Sequence, residues 1–190
     1  GTYWIAFAEY VQQAGLVVSV LNPSQAKHFA QARLQRTKTD RVDAYLLREY
    51  GRVMEPSAWV PPPPICQQLQ QYLNRRDDLI LMHNAERNRL HALKHNPHAL
   101  PDLLKPLQTH ITSLKQQIKA LEQTIQSLLL NQHDWAEAVA RLRTVKGLGY
   151  LTIARILTST HAFARCSTPE EAASFAGLAP HVRQSGKWKG

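Results

Sequence analysis

Cysteine is scarce. Cys66 and Cys166 are the only two in 190 residues, a hundred positions apart and neither in a CxxC pair. That excludes a disulfide framework and a cysteine-built zinc finger, and it fits a reducing compartment. Long apolar runs are missing too: none approaches the roughly 18 residues of a membrane span, so a membrane-spanning protein is excluded. The 44% of hydrophobic residues is still enough for a packed core, which argues against wholesale disorder. Nine histidines are present, but no HExxH motif. His91 and His95 have helical ligand spacing with His98 following, and without a matching acid they read as solvated helix surface. Acids are also in deficit, with 14 Asp+Glu against 23 Lys+Arg, a net charge of +9 and a pI near 9.8. Such a field attracts polyanions, of which nucleic acid is the commonest.

The chain opens Gly1-Thr-Tyr-Trp without an initiator Met and closes on Gly186-Lys-Trp-Lys-Gly190; we read it as a piece of a longer protein. Tyr3 to Ala14 has the pattern of an amphipathic helix stopped by Gly15. Leu16-Val-Val-Ser-Val-Leu21, closed by Asn22-Pro23, has that of a buried strand. Helices are expected from Ser24 to Leu34 and from Asp40 to Arg52, so the first section reads as an α/β layer. Pro61-Pro-Pro-Pro64 can be neither helix nor central strand, because it lacks amide donors, and it marks a domain boundary. Ile65 to Lys94 and Leu103 to Gln132 then read as two long helices. The second carries Leu107, Ile111, Leu114, Ile118, Leu121, Ile125 and Leu128 at alternating spacings of four and three, a heptad seam. Ile at a and Leu at d favour a parallel dimer, although an antiparallel hairpin with the preceding helix would bury the same seam. From Trp135 onward the chain is helical again, with Thr168-Pro-Glu-Glu171 as a capping box. The expected domains are 1–60, 61–134 and 135–190, and the last is the most basic, at +5 against +2 for each of the others.

Three stretches can carry chemistry. In Arg36-Thr-Lys-Thr-Asp40-Arg-Val-Asp43 two carboxylates three residues apart share one face of a helix start. They can hold Mg²⁺ or can simply stabilise the helix dipole. Arg36 and Lys38 before them can hold a phosphate or belong to a solvated loop. In Arg143-Thr-Val-Lys146-Gly147-Leu-Gly149 the glycines permit a tight turn between helices. Its backbone N–H groups and the next helix N-terminus can grip a phosphate without reading sequence, as in a helix-hairpin-helix; an ordinary glycine-containing turn is the alternative. The third is Pro180-His-Val-Arg183-Gln-Ser185-Gly-Lys187-Trp-Lys189, a loop with a serine among bases. A serine attacks DNA only if a base or metal activates it and positive charge stabilises the phosphorane; alone, Ser-Gly is a turn.

Taken together and in order, these pieces resemble the DEDD transposases of the insertion sequence 110 family. The matching residues are Asn22-Pro23, Phe29, Arg36-Thr-Lys-Thr-Asp40 with Asp43-Ala44, Gly147-Leu-Gly149, and Phe175-Ala-Gly-Leu-Ala-Pro180 leading to Ser185-Gly186. The resemblance implies a mainly α protein with an α/β remnant: an incomplete RuvC-like (RNase H-like) domain, a coiled-coil section, and a C-terminal domain with a helix-hairpin-helix-like motif and a nucleophilic serine. It implies that Asp40 and Asp43 are the last two of four Mg²⁺-binding acids and that Ser185 is the nucleophile. Arg36, Lys38, Lys146, Gly147, Gly149, Arg183, Lys187 and Lys189 would meet nucleic acid. Implied partners are DNA, a structured guide RNA and a second or further copy of the chain through residues 103–132. The implied location is the bacterial cytoplasm, at the nucleoid. The family's first Asp and its Glu would fall before Gly1 and its basic segment after Gly190, so this chain alone is expected not to recombine DNA. Lys146 stands where the family more often has Pro. A dimeric nucleic-acid-binding module without catalysis, and a junction nuclease that uses water instead of serine, are the competing readings.

Overall fold

The computed structural model describes residues 3–35 and 37–179, and the backbone of residues 184–185 and 188–189. The chain is mainly helical and divides into two compact units, Gly1–Pro61 and Pro62–Gly190, with the break inside the proline run.

In the first unit α1 (Tyr3–Gln13) buries Ala8 and sets Trp4 edge-on to Trp59, with ring centroids 5.6 Å apart. Helix α2 (Pro23–Ala32) starts at a full capping box. The Asn22 side chain accepts from the Ser24 amide at 2.9 Å, and the Gln25 side chain accepts from the Asn22 amide at 3.2 Å. Thr39 caps α3 (Asp40–Met54) by accepting from Val42. Phe29 and Tyr50 join α2 to α3 edge-to-face at 5.2 Å. Arg33 lies over the Phe29 ring and pairs with Glu49, which also accepts from Arg52. The hydrogen bond from Arg52, aided by the charge of Arg33, holds the Glu49 carboxyl below its ordinary range.

The buried strand expected over Leu16–Leu21 does not form. Val17 is 82% exposed and the segment is extended without a ladder. Its cross-chain bonds are Trp59 N–H to the Val18 carbonyl at 2.7 Å and the Ser19 hydroxyl to the Pro56 carbonyl at 3.1 Å. β-branched residues favour extended backbone, but a strand exists only where a neighbour supplies the complementary ladder.

The second unit is built on a helical hairpin, α4 (Pro64–Lys94) and α5 (Pro101–Leu130), joined by a short turn at Asn96–Leu100. The seam read from the sequence is buried or half-buried along its length, and α4 is what covers it; Arg76 of α4 reaches Glu122 of α5 at 2.8 Å. Within one chain the seam therefore serves the hairpin. Helices α6 (Ala136–Arg143) and α7 (Tyr150–Thr160) close over the hairpin's open end. Cys66, Leu69 and Leu73 of α4, Ile125 and Leu129 of α5, Trp135 and Val139, and Ile153, Ala154 and Leu157 of α7 form one core. Burial also pushes the Cys66 thiol up, so it stays protonated and inert. Arg155 of α7 donates to both carboxylate oxygens of Asp77, at 3.0 and 2.8 Å. Helix α8 (Pro169–Phe175) starts at the expected cap, with the Thr168 hydroxyl accepting from Glu171 and the Glu171 carboxylate accepting from Ser167.

Helix α7 ends in an unusual way. His161, Ala162 and Phe163 all have left-handed backbone, with φ of 50°, 55° and 69°, and none is glycine. Each such residue costs about 1–2 kcal/mol. Packing of Ala162 on the core and the Thr160 hydroxyl hold the turn: that hydroxyl accepts from the Phe163 amide and donates to the Ile156 carbonyl.

Two stability measurements follow. Glu55 ends α3 with φ of 42° and is exposed, so it combines left-handed strain with a negative charge at a helix C-terminus. Glu55→Gly is expected to raise stability by about 1 kcal/mol in urea denaturation; an unchanged or lower midpoint would contradict this. Burial first, and the charge of Arg165 second, hold the His161 imidazole below its ordinary 6.5. The unfolded chain then takes up that proton first, so this contribution is complete above about pH 6.5 and is lost as the pH falls below it. His161→Asn, which tolerates left-handed backbone, is expected to lose less stability than the wild type between about pH 7.5 and 5.5. Equal losses would place the acid sensitivity elsewhere.

Candidate functional site

The acidic pair stands in the first unit. Asp40 and Asp43 lie in the first turn of α3, immediately after the Thr39 cap. Asp40 is exposed and Asp43 half-buried. Among the described residues neither carboxylate has a hydrogen-bond or ion-pair partner. Asp43 and Lys38 line a cavity of about 590 Å³ between α2 and α3, with Lys27, Phe29 and Tyr50 on its walls. No third His, Cys, Asp or Glu converges on the pair or on any other point among the described residues. Two carboxylates nevertheless suit Mg²⁺, which commonly keeps several waters and takes one or two protein carboxylates together with substrate phosphates. Arg36, predicted to help bind phosphate, lies outside the described residues.

The glycine turn stands in the second unit. Leu142, Leu148 and Tyr150 pack on the core and pin both ends of the turn, while Arg143, Thr144, Lys146, Gly147 and Gly149 face solvent. Gly147 has φ of +94°, a conformation that a Cβ would strain. The turn is closed by Leu148 N–H to the Val145 carbonyl at 3.2 Å and the Thr144 hydroxyl to the Arg141 carbonyl at 2.7 Å. Gly149 is the N-cap of α7 and has no side chain to offer, so no side-chain cap covers the first turn. An anion approaching there meets backbone N–H groups and the positive end of the helix dipole. Arg143 belongs to this surface although the sequence reading did not single it out as a ligand: its guanidinium sits 4.4 Å over the Tyr150 ring, which holds a cation at the mouth of the turn. A base in the last turn of the helix before a Gly-x-Gly was the available signal.

The predicted serine loop is described in backbone only. Gln184–Ser185 pairs antiparallel with Trp188–Lys189, Ser185 opposite Trp188, so Ser185 sits in a short two-stranded ladder. The side chains of Ser185 and Lys189, together with Arg183 and Lys187, lie outside the described residues.

Over residues 1–95 the chain matches a family model described as Transposase, of the DEDD type of IS110. Over residues 139–190 it matches one described as Transposase IS116/IS110/IS902 family. It is similar to the pilin gene-inverting protein of Moraxella bovis, at 29% identity over 186 residues, covering 98% of this chain and 56% of that protein. It is similar also to the pilin gene-inverting protein of Moraxella lacunata, at 28% identity with the same coverage. The chain thus spans about half the length of the curated relatives it matches. The acidic pair falls in the first matched region and the glycine turn and Ser185 in the second, and the chain belongs to the IS110 family of transposases.

Proposed function

We propose that the protein takes part in cutting and rejoining DNA, as a transposase or site-specific recombinase. The observation that carries this reading is the order of the two family matches along one chain, 1–95 and 139–190. The relatives' printed name, a protein that inverts a gene, describes a DNA rearrangement and agrees with it.

In this reading Asp40 and Asp43 would hold Mg²⁺. When bound, the ion would polarise the phosphoryl oxygens and offset developing negative charge. Ser185 is the nucleophile. Its Oγ attacks phosphorus and loses its proton, the P–O bond to one strand end breaks, and that end leaves as a protonated hydroxyl. The hydroxyl of a second strand then attacks the same phosphorus and expels the serine, which regains a proton. One phosphodiester is broken for each one made, so the exchange needs no external energy source. The unpaired carboxylates on α3 support the first assignment. The family match through residue 190 supports the second, and the excess of basic residues agrees with a nucleic-acid partner.

Two or more copies of the chain acting together are also part of this reading. A structured RNA guide that pairs with donor and target DNA is a further element of this reading, compatible with the +9 charge. Action on chromosomal DNA would put the protein at the nucleoid of the bacterial cytoplasm; among the described residues no helix is long and apolar enough to cross a membrane. The glycine turn, with Arg143 and Lys146, would grip the DNA backbone in the manner of a helix-hairpin-helix.

Two experiments test these assignments. Protein expressed from its complete reading frame is incubated with Mg²⁺, element-flank RNA and labelled element-end DNA, then run on a denaturing gel. A covalent protein–DNA adduct is expected, lost in Ser185→Ala and in Asp40→Asn while DNA affinity persists. Cleavage without an adduct would replace serine by water as nucleophile, and binding without cleavage would leave a binding module. For the glycine turn, Arg143→Gln with Lys146→Gln is expected to weaken DNA binding equally for all sequences and to lower the slope of log K against log salt by about 2. An unchanged slope would remove the turn from the interface.

A further inference from the structure

Helix α5 carries a surface that neither the hairpin core nor the proposed site uses. Its apolar seam faces α4, and away from that seam run Lys105, Gln108, Thr112, Lys115, Lys119 and Gln123, all exposed. At 100° per residue these six fall on one flank of the helix. From residue 103 to residue 121 the helix has no acid at all. Glu122, at the edge of the flank, is held by Arg76 of α4 at 2.8 Å. Lys105, Lys115 and Lys119 form no ion pair among the described residues, and Lys115 and Lys119 are one helical turn apart, a like-charge pair that weakens an isolated helix. An unfavourable pair left without a counter-charge, flanked by the amide donors of Gln108 and Gln123, is the chemistry of a surface that meets a polyanion.

We propose that this flank of α5 binds the phosphate backbone of duplex DNA without reading its sequence, which rests on the reading of the protein as a DNA recombinase. Two features choose a duplex over a single strand. Helix α5 carries no Phe, Tyr or Trp, and its one imidazole, His110, lies on the side of the helix away from this flank, whereas single-strand sites depend on aromatic platforms for unstacked bases. The stripe also runs along a continuous helix: Lys105 to Gln123 spans about 27 Å at 1.5 Å per residue, close to the roughly 34 Å of one duplex turn. Gln108 and Gln123 serve as neutral donors to phosphate oxygens and fix register without specificity.

The test measures fluorescence anisotropy of a labelled, arbitrary-sequence duplex of about 25 base pairs with the full chain over a salt series. Lys115→Gln with Lys119→Gln is expected to weaken binding about tenfold and to lower the salt slope by about 2. The same double variant should melt no lower than the wild type, since a like-charge pair has been removed; a purely structural role would lower stability instead. Arg87→Gln with Lys94→Gln removes the same charge from α4 and is expected to leave the slope nearly unchanged. If the α5 variant binds as the wild type does, or both variants fall equally, the proposal is overturned. It is likewise overturned if single-stranded DNA or an RNA duplex is bound more tightly and depends on the same lysines. If the wild type binds no DNA, the recombinase reading fails with it. Loss of binding in Arg143→Gln with Lys146→Gln alone would leave that reading standing without the α5 surface.

Discussion

The second unit depends on one apolar contact: Leu69 and Leu73 of α4, Ile125 and Leu129 of α5, and Ile153 and Leu157 of α7 excluding water from a common centre. These side chains are almost completely buried, and removing one would cost about 2–5 kcal/mol. The contact sets the angle at which α7 leaves the hairpin, and α7 begins at Gly149. The position of the glycine turn, with its uncapped amides and the Arg143 cation beside Tyr150, is therefore a consequence of how α7 and the residues flanking the turn pack on this core.

Charge is arranged around that core in two ways. Where helices meet, the charges neutralise one another: Arg155 with Asp77, and Arg76 with Asp77 and Glu122. These partly exposed pairs add orientation more than stability. Where helices face outward, on α5 and around the glycine turn, cations stand without partners. The net excess of Lys and Arg is thus concentrated on surfaces, in the distribution a phosphate-binding protein needs. In the first unit carboxylates join the unpartnered charges: Asp40 and Asp43 at the start of α3 have no ion-pair partner among the described residues, and neither has Arg41 between them.

Much of this was legible before any coordinates. The seven-residue period of α5 announces a helix with one apolar stripe, and Thr168-Pro-Glu-Glu171 announces a helix start, because caps are local chemistry between residues two or three apart; Asn22-Pro23 reads from sequence as the close of a strand and in the structure opens α2 as a capping box. The strand at Leu16–Leu21 was misread for the complementary reason: β propensity describes a backbone preference, while a strand needs a partner that sequence neighbours do not supply. The left-handed run at His161–Phe163 was invisible, since no glycine marks it and a hydroxyl from Thr160 and packing of Ala162 hold it in place. Arg143 was visible as a base and not as a ligand, because its place over Tyr150 is a tertiary fact.

Sequence alone determined the helices, their caps, the break at the prolines, the basic balance and the motifs that carry the family resemblance, all of which arise from residue chemistry within a few positions. Tertiary structure decided what covers the α5 seam within one chain, since one heptad pattern suits a dimer or a hairpin equally well and it is α4, across a short turn, that lies against it. It also decided which cations remain unpaired. That choice depends on whether an acid from another helix comes within reach: Glu122 has Arg76, and Lys115 and Lys119 have none among the described residues.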